Sequence, residues 1–209
     1  MKFSNCYLLL PLALVGCKNK THSEEPKRPN ILFIMTDDHT TQAIGCYGGN
    51  MVKTPNIDRI ADEGIRFDNC YATNALSGPS RASILPANFG HLNGFTDTAK
   101  TFDADQQTFP KILQQNGSQT AIIGKWHLRS EPQGFNFWSI LSGQHEQGDY
   151  YNPDFLENGK AIQEKGYVTD IITDKAIGYL KERDASKPFA MMLNHKAPHR
   201  NWMPAERYL

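Results

Sequence analysis

Four short stretches of the chain carry side chains whose types and spacing suit chemistry. "LSGPSRAS" (76–83) sets Ser77 four residues ahead of Arg81, with Pro79 between them, in a segment otherwise poor in charge. Such a stretch can be an ordinary turn entering a helix, or a nucleophile held beside its own anion clamp. "ILFIMTDDH" ends in adjacent carboxylates, Asp37 and Asp38. These repel one another unless positive charge lies beside them, which suits a hard divalent cation with oxygen ligands, calcium or magnesium. A solvated turn or a helix N-cap is the plainer role for an isolated acidic pair. "GKWH" puts Lys125 and His127 two residues apart, on the same side if the backbone is extended, a pair suited to an anionic group. "HKAPHRNW" adds His195 and His199 in a proline-stiffened loop. Each stretch alone is ambiguous, since a lone histidine more often serves structure than chemistry.

The elements that must position these groups give them a common place. Ile31 to Met35 is a continuous apolar run of strand length, as expected of a strand covered on both faces. "TPNIDRIADEG" predicts a short helix with Thr54 as N-cap, Pro55 at the first helical position, Ile57, Ile60 and Ala61 on one face, and Gly64 as the stop. "QTAIIG" and "KPFAMMLN" read as further buried strands. Between them Val168, Ile171, Ile172, Ala176 and Leu180 recur at helical spacing. Strands alternating with amphipathic helices argue for an α/β domain with a largely parallel central sheet and flanking helices. Ligands of such sheets bind beyond the carboxyl ends of the strands. Asp37 and Asp38 follow the first strand, Lys125 and His127 follow the strand at 119–123, and His195 and His199 follow the strand at 188–194. Three strand ends thus deliver charged or titratable groups to one edge. With Ser77 and Arg81 they make up what hydrolysis of an anionic ester requires: a cation to polarise it, donors for its oxygens, a nucleophile, and an acid for the leaving oxygen.

Composition narrows the setting. The 209 residues suffice for one domain with a substantial core, and 22 basic against 22 acidic side chains give no basic surface for nucleic acid. Apolar content of 39% with 21% charged residues fits a soluble globular protein. The first 17 residues stand apart: one lysine, then "CYLLLPLALVG", too short to span a bilayer, ending in "LVGC". This resembles a bacterial lipoprotein signal with lipidation at Cys17, a plain secretory signal being the alternative. Residues 18–28 then read as a polar tether and 29–209 as the domain. The expected location is the cell envelope, periplasm-facing or at the cell surface, held by a lipid anchor and not spanning. Cys46 and Cys70 lack metal or redox spacing and read as small apolar residues, though they could pair in an oxidising compartment.

The four motifs together resemble the formylglycine-dependent sulfatases. "SGPSR" is similar to that family's signature of cysteine or serine followed by x-Pro-x-Arg, and "GSQTAIIGKWH" to its second signature. "ILFIMTDDH" is similar to its metal-binding first strand, and "KAPH" to the loop that supplies a further histidine. The resemblance covers residues 29–209 and implies the N-terminal part of an alkaline-phosphatase-like sulfatase domain. It implies that Ser77 is oxidised to formylglycine (3-oxoalanine) by an anaerobic radical maturation enzyme. One hydroxyl of the aldehyde hydrate would attack sulfur, and the second would help expel sulfate. By the same resemblance Asp37, Asp38 and modified Ser77 bind Ca2+, and Arg81 holds the formylglycine. Lys125 contacts a sulfate oxygen, His127 hydrogen-bonds the hydrate, and His199 contacts the sulfate or protonates the leaving group.

"YYNPDF" and "PFAMMLNHKAPHRNWMPAERYL" resemble the N-acetylglucosamine-6-sulfatase branch, which implies removal of 6-O-sulfate from mucin-type glycans or glycosaminoglycans. A phosphodiesterase or phosphonate hydrolase of the alkaline phosphatase superfamily is the alternative enzyme, and an inactive lipoprotein with at most carbohydrate binding the alternative outside enzymes. Phe135, Phe137, Trp138, Tyr150 and Tyr151 either stack on sugar faces or pack the core. The chain departs from the family pattern after the arginine, where Pro86 and Ala87 stand in place of Thr-Gly, expected to strain a turn. It also lacks the family's later Asp-Asn pair and later lysine. A C-terminally truncated chain is therefore expected, with an incomplete calcium ligand set and an exposed sheet edge or apolar face.

Overall fold

The structure is a computed structural model that describes residues 28–209; Cys17, the signal and residues 18–27 of the tether lie outside the described residues. The strands are β1 (Ile31–Met35), β2 (Gln119–Gly124), β3 (Phe137–Leu141), β4 (Asp154–Glu157), β5 (Lys160–Gln163) and β6 (Phe189–Asn194). The helices are α1 (Pro55–Glu63), α2 (Ser77–Ile84), α3 (Gly90–Asn93), α4 (Phe109–Gln115) and α5 (Val168–Glu182). One sheet runs β1-β6-β2-β3-β4-β5, in which the first four strands are parallel and the β3–β4 and β4–β5 pairings are antiparallel. The expected α/β class with a largely parallel sheet is what forms. The β4–β5 hairpin turns on Asn158 and Gly159, both at positive φ (43° and 85°), the backbone that a two-residue Asn-Gly turn needs.

Successive side chains of a strand face opposite sides, and the core divides accordingly. Ile122, Met192 and Ile140 face one layer, where they meet Ala82 and Leu85 from the region of α2 together with Phe95 and Trp126. Ala121, Ile123, Met191 and Leu193 face the other, against Val168, Ile172 and Ala176 of α5. Ile122 and Ile123 are fully buried, and each contributes about 1.5–3 kcal/mol by leaving water.

Several local expectations are corrected. Among the described residues β1 pairs only with β6, which makes it an edge strand there: Ile31, Leu32 and Ile34 are 39%, 46% and 50% exposed, so the strand is not covered on both faces by them. Ile57 and Ile60 of α1 are likewise exposed, so that helix presents its apolar stripe to solvent. Thr54 precedes α1 but does not cap it; its hydroxyl accepts from the Gly45 N–H and donates to Asp58. Cys46 and Cys70 are both free, and Cys70 is exposed rather than buried. The aromatic segment packs the protein: Trp138 and Tyr150 are buried, Phe137 stacks on Tyr179, and Phe135 meets the edge of Trp126.

Candidate active site

Ser77 is the first residue of α2, entered from Leu76 in an extended conformation, and Arg81 follows one turn later on the same face. A four-residue spacing read from sequence therefore becomes a contact: Arg81 Nε donates to Ser77 Oγ at 3.4 Å. The remaining Arg81 nitrogens reach outward, Nη1 to the Lys125 carbonyl at 2.9 Å and Nη2 to Asp37 Oδ2 at 3.4 Å.

The three strand ends are tied together by their backbones. The Asp37 N–H donates to Ala197 O at 3.1 Å, His195 N–H to Met35 O at 2.8 Å, and Lys125 N–H to Asn194 O at 2.7 Å. Gly124 permits the last of these. It sits at φ 101°, and a Cβ there would lie 2.0 Å from Asn194 O, so no side chain fits between β2 and β6.

Asp37 is the hub, 5% exposed. Its Oδ2 accepts from Lys125 Nζ at 2.5 Å and from Ser77 Oγ at 3.3 Å. Burial alone would raise this carboxyl, but Lys125 first, then Arg81 and His199, outweigh it and hold it below the usual carboxylate range. Burial pulls the Lys125 ammonium down, with Asp37 pushing the other way. Ser77 Oγ also lies 3.3 Å from His127 Nδ1. Burial, then Lys125 and Arg81, push His127 down to about 4, so it is neutral at ordinary pH. His127 sits at φ 61°, so it shares a side with Lys125 through a left-handed turn and not through the extended backbone expected. His199 Nε2 stands 3.7 Å from Asp38 Oδ2, and Tyr150 donates its hydroxyl proton to the His199 carbonyl. Asp38 is at φ 53° and more than half exposed.

Ser77, Asp38, His127 and His199 border one open cavity of about 810 Å³, within the range of small-molecule sites. Asp37, Ser77, Arg81, Lys125 and His127 form one connected network. His195 stays apart: burial lowers it, its Nδ1 has no partner among the described residues, and it does not line the cavity. Of Phe135, Phe137, Trp138, Tyr150 and Tyr151, none lines this cavity, and Tyr151 borders a separate cleft with Trp202 and Met203. Two of the lining residues that were not read from the sequence carry polar groups into the heart of the site. Gln147 bridges the pair of "GKWH": its Oε1 accepts from Lys125 Nζ at 2.6 Å, and its Nε2 lies 3.0 Å from His127 Nε2. Lys196, beside His195 in "HKAPH", is the other. No spacing marks Gln147, which stands in a polar, glycine-flanked loop; only that loop's return to the strand ends makes it part of the site.

The donor set suits a hard cation in kind. Asp37, Asp38 and Ser77 offer oxygen only and border a narrower cleft of about 240 Å³ with Asn74. Calcium takes roughly six to eight oxygens, so these residues are part of a ligand set and not all of it. Among the described residues, no three acidic, histidine or cysteine side chains stand together as a ready metal cluster.

The sulfatase family model matches residues 29–209. The chain belongs to the sulfatase family. It is 71% identical to an N-acetylglucosamine-6-O-sulfatase of Bacteroides thetaiotaomicron, over 100% of this chain and 38% of that protein. It is 29% identical to an ulvan-active sulfatase of Formosa agariphila over 92% of this chain and 40% of the other. Among solved structures, one in complex with its substrate D-glucosamine-2-N,6-O-disulfate superposes with a TM-score of 0.87 at 75% identity, covering 88% of this chain and 37% of that one. Ps i-CgsB bound to k-i-k-neocarrahexaose superposes with a TM-score of 0.81 at 25% identity, covering 87% of this chain and 48% of the other. The chain thus spans about two-fifths of the length of the curated relatives it matches.

Proposed function

We propose that the chain is the Ser77-bearing part of a sulfuric ester hydrolase acting on sulfated glycans, and that the group removed is the 6-O-sulfate of N-acetylglucosamine in mucin-type glycans or glycosaminoglycans. One observation carries this reading: Ser77 Oγ stands 3.3 Å from Asp37, 3.3 Å from His127 and 3.4 Å from Arg81, at the edge of a cavity large enough for a sugar. The likeness to the N-acetylglucosamine-6-O-sulfatase and to the protein bound to a 6-O-sulfated glucosamine supports the choice of substrate.

The residues divide the work as follows. A bare serine hydroxyl is a weak nucleophile at its free pKa, and His127 lacks the basicity to activate it. Oxidation of Ser77 to formylglycine by a radical maturation enzyme would supply, as the aldehyde hydrate, an oxygen nucleophile at that position. Arg81 fixes the oxygen of residue 77 through Nε, and His127 holds it through Nδ1. Asp37, Asp38 and Ser77 would hold calcium, whose charge would polarise the ester. By the family resemblance Lys125 would contact a sulfate oxygen, although here it is fully buried, its ammonium on Asp37 and Gln147, and it does not border the cavity. His199, which does, would meet the leaving oxygen or the sulfate. A lipid anchor at Cys17 would keep the protein in the cell envelope, where sulfated polysaccharides are met.

Peptide mass spectrometry across residue 77, after co-expression with the maturation enzyme, tests the nucleophile: conversion lowers the peptide mass by about two hydrogens. Sulfate release from 6-sulfated N-acetylglucosamine is then assayed for this chain and for a longer version matching the relatives' length. An unconverted Ser77 with no release from either protein would sink the reading; preference for a galactose or aryl sulfate would overturn the substrate alone.

A further inference from the structure

β6 lies between β1 and β2 in the sheet, so the loop that leaves β6 emerges between Asp37, which follows β1, and Lys125, which follows β2. Lys196 is the second residue of that loop. It is 5% exposed, yet among the described residues its ammonium has neither a carboxylate at ion-pair distance nor a hydrogen-bond acceptor. Arg81 and Lys125, the other buried cations here, both reach Asp37. Lys196 Nζ lies 5.1 Å over the ring of Tyr150, a buried residue whose hydroxyl is committed to the His199 carbonyl. It borders the same cavity as Ser77, His127 and His199. Asp149, Asp38, Arg129 and Arg200 border it too, and neither carboxylate is paired with Lys196.

A buried cation without a counter-charge is costly, and the cost is recovered only when an anion arrives. Contact with an aromatic face offsets part of it and leaves the hydrogen-bond donors unused. The acids nearest the network are already spoken for: Asp37 by Lys125 and Arg81, Asp38 by its contact with His199. Asp37 and Asp149 attract the Lys196 ammonium from a distance but neither pairs with it, so its donors are left for an incoming anion.

We propose that Lys196 is a sulfate-holding residue of the cavity, its ammonium taking an oxygen of the substrate's ester sulfate between Ser77 and the Tyr150 ring. This rests on the sulfate-ester reading above, and its test separates the two. Binding of inorganic sulfate, 6-sulfated N-acetylglucosamine and unsulfated N-acetylglucosamine is measured for the whole chain and for its Lys196→Met and Lys196→Arg variants, together with their melting in sulfate-free buffer. Lys196→Met is expected to weaken both sulfated probes roughly ten- to a hundredfold, the worth of one charge-assisted contact, and to leave the unsulfated sugar unaffected. Lys196→Arg should restore most of the affinity. The methionine variant should melt no lower than the parent, because it removes an uncompensated charge and keeps the apolar stem. Equal affinity of parent and methionine variant for both sulfated probes overturns the proposal. So does weakened binding accompanied by a lower melting temperature and no rescue by arginine, which marks a structural role. A parent that binds neither sulfated probe overturns the proposal and the sulfatase reading together. Sulfate binding that depends on Lys196, without preference for the sulfated sugar, leaves Lys196 standing and removes the glycan reading alone.

Discussion

β1 and β2 flank β6 in one parallel sheet, and each hands a charged residue to the site, Asp37 beyond Met35 and Lys125 beyond Gly124. They are held by different forces. From Thr120 to Gly124 every residue of β2 is buried between the two core layers, whereas β1 is an edge strand whose Ile31, Leu32 and Ile34 meet solvent. Asp37 is nonetheless as deeply buried as the residues after β2. Polar ties fix it: its N–H on Ala197 O and its carboxylate on Lys125 and Arg81. The contrast teaches that apolar packing positions Lys125, and that Lys125 then helps to position Asp37.

The largest test of this asymmetry is Asp37→Ala. It leaves Lys125 and Arg81 buried without their counter-charge and should cost about 3–5 kcal/mol of unfolding free energy in a denaturant titration. A loss below about 1 kcal/mol would mean that Asp37 is not their counter-ion. On the apolar side, Ile123→Ala removes a fully buried β2 side chain and should cost about 2–5 kcal/mol by the same measurement.

The residues beyond β2 also carry a pH signature. His127 has a folded pKa of about 4 against 6.5 for the free side chain, so the unfolded chain takes up its proton first. Stability contributed by the neutral ring is complete above 6.5 and is lost as pH falls from there toward 4. Asp37, held below its ordinary value, adds a further loss at still lower pH, as pH falls through its folded pKa. Denaturation midpoints measured down this range should fall, and His127→Asn should flatten the upper part; an unchanged slope would deny that burial keeps the ring neutral.

Two smaller effects sharpen the comparison. Ala87, at φ 53° just past the helix that carries Ser77 and Arg81, takes a backbone that glycine adopts freely. Relief of that strain, less the greater freedom glycine gives the unfolded chain, predicts a gain of about 0.5 kcal/mol for Ala87→Gly. Ile34→Ala on β1 should change stability by no more than about 0.5 kcal/mol. A loss as large as that of Ile123→Ala would show that something covers β1 in solution.

Some of this organisation was legible before folding. The positions Val168, Ile172 and Ala176 that repeat along α5 are the ones it buries, because helical periodicity is a local property that a core face must obey. The strain expected at Ala87 from the loss of the family's glycine corresponds to its positive φ. The β4–β5 hairpin carried its own signal in Asn158-Gly159, which went unread beside the aromatics that precede it. An exposed sheet edge or apolar face was expected, but that β1 is that edge was not legible. An apolar run states that a strand will form, but its neighbours in the sheet decide whether both faces are covered.

The sequence by itself determined the kinds of group and their short-range order: a serine with an arginine one helical turn on, and charged residues directly after strands. Tertiary structure alone decided who meets whom. Asp37 and Lys125 are 88 residues apart, and they pair because β6, distant in sequence from both, enters between β1 and β2 and ties their ends together. Gln147 and Lys196 join the site for the same reason. Lys196 follows a strand end as the other charged residues do, but Gln147 has no local pattern, and a loop's position relative to distant strand ends is a long-range contact that no window of sequence contains.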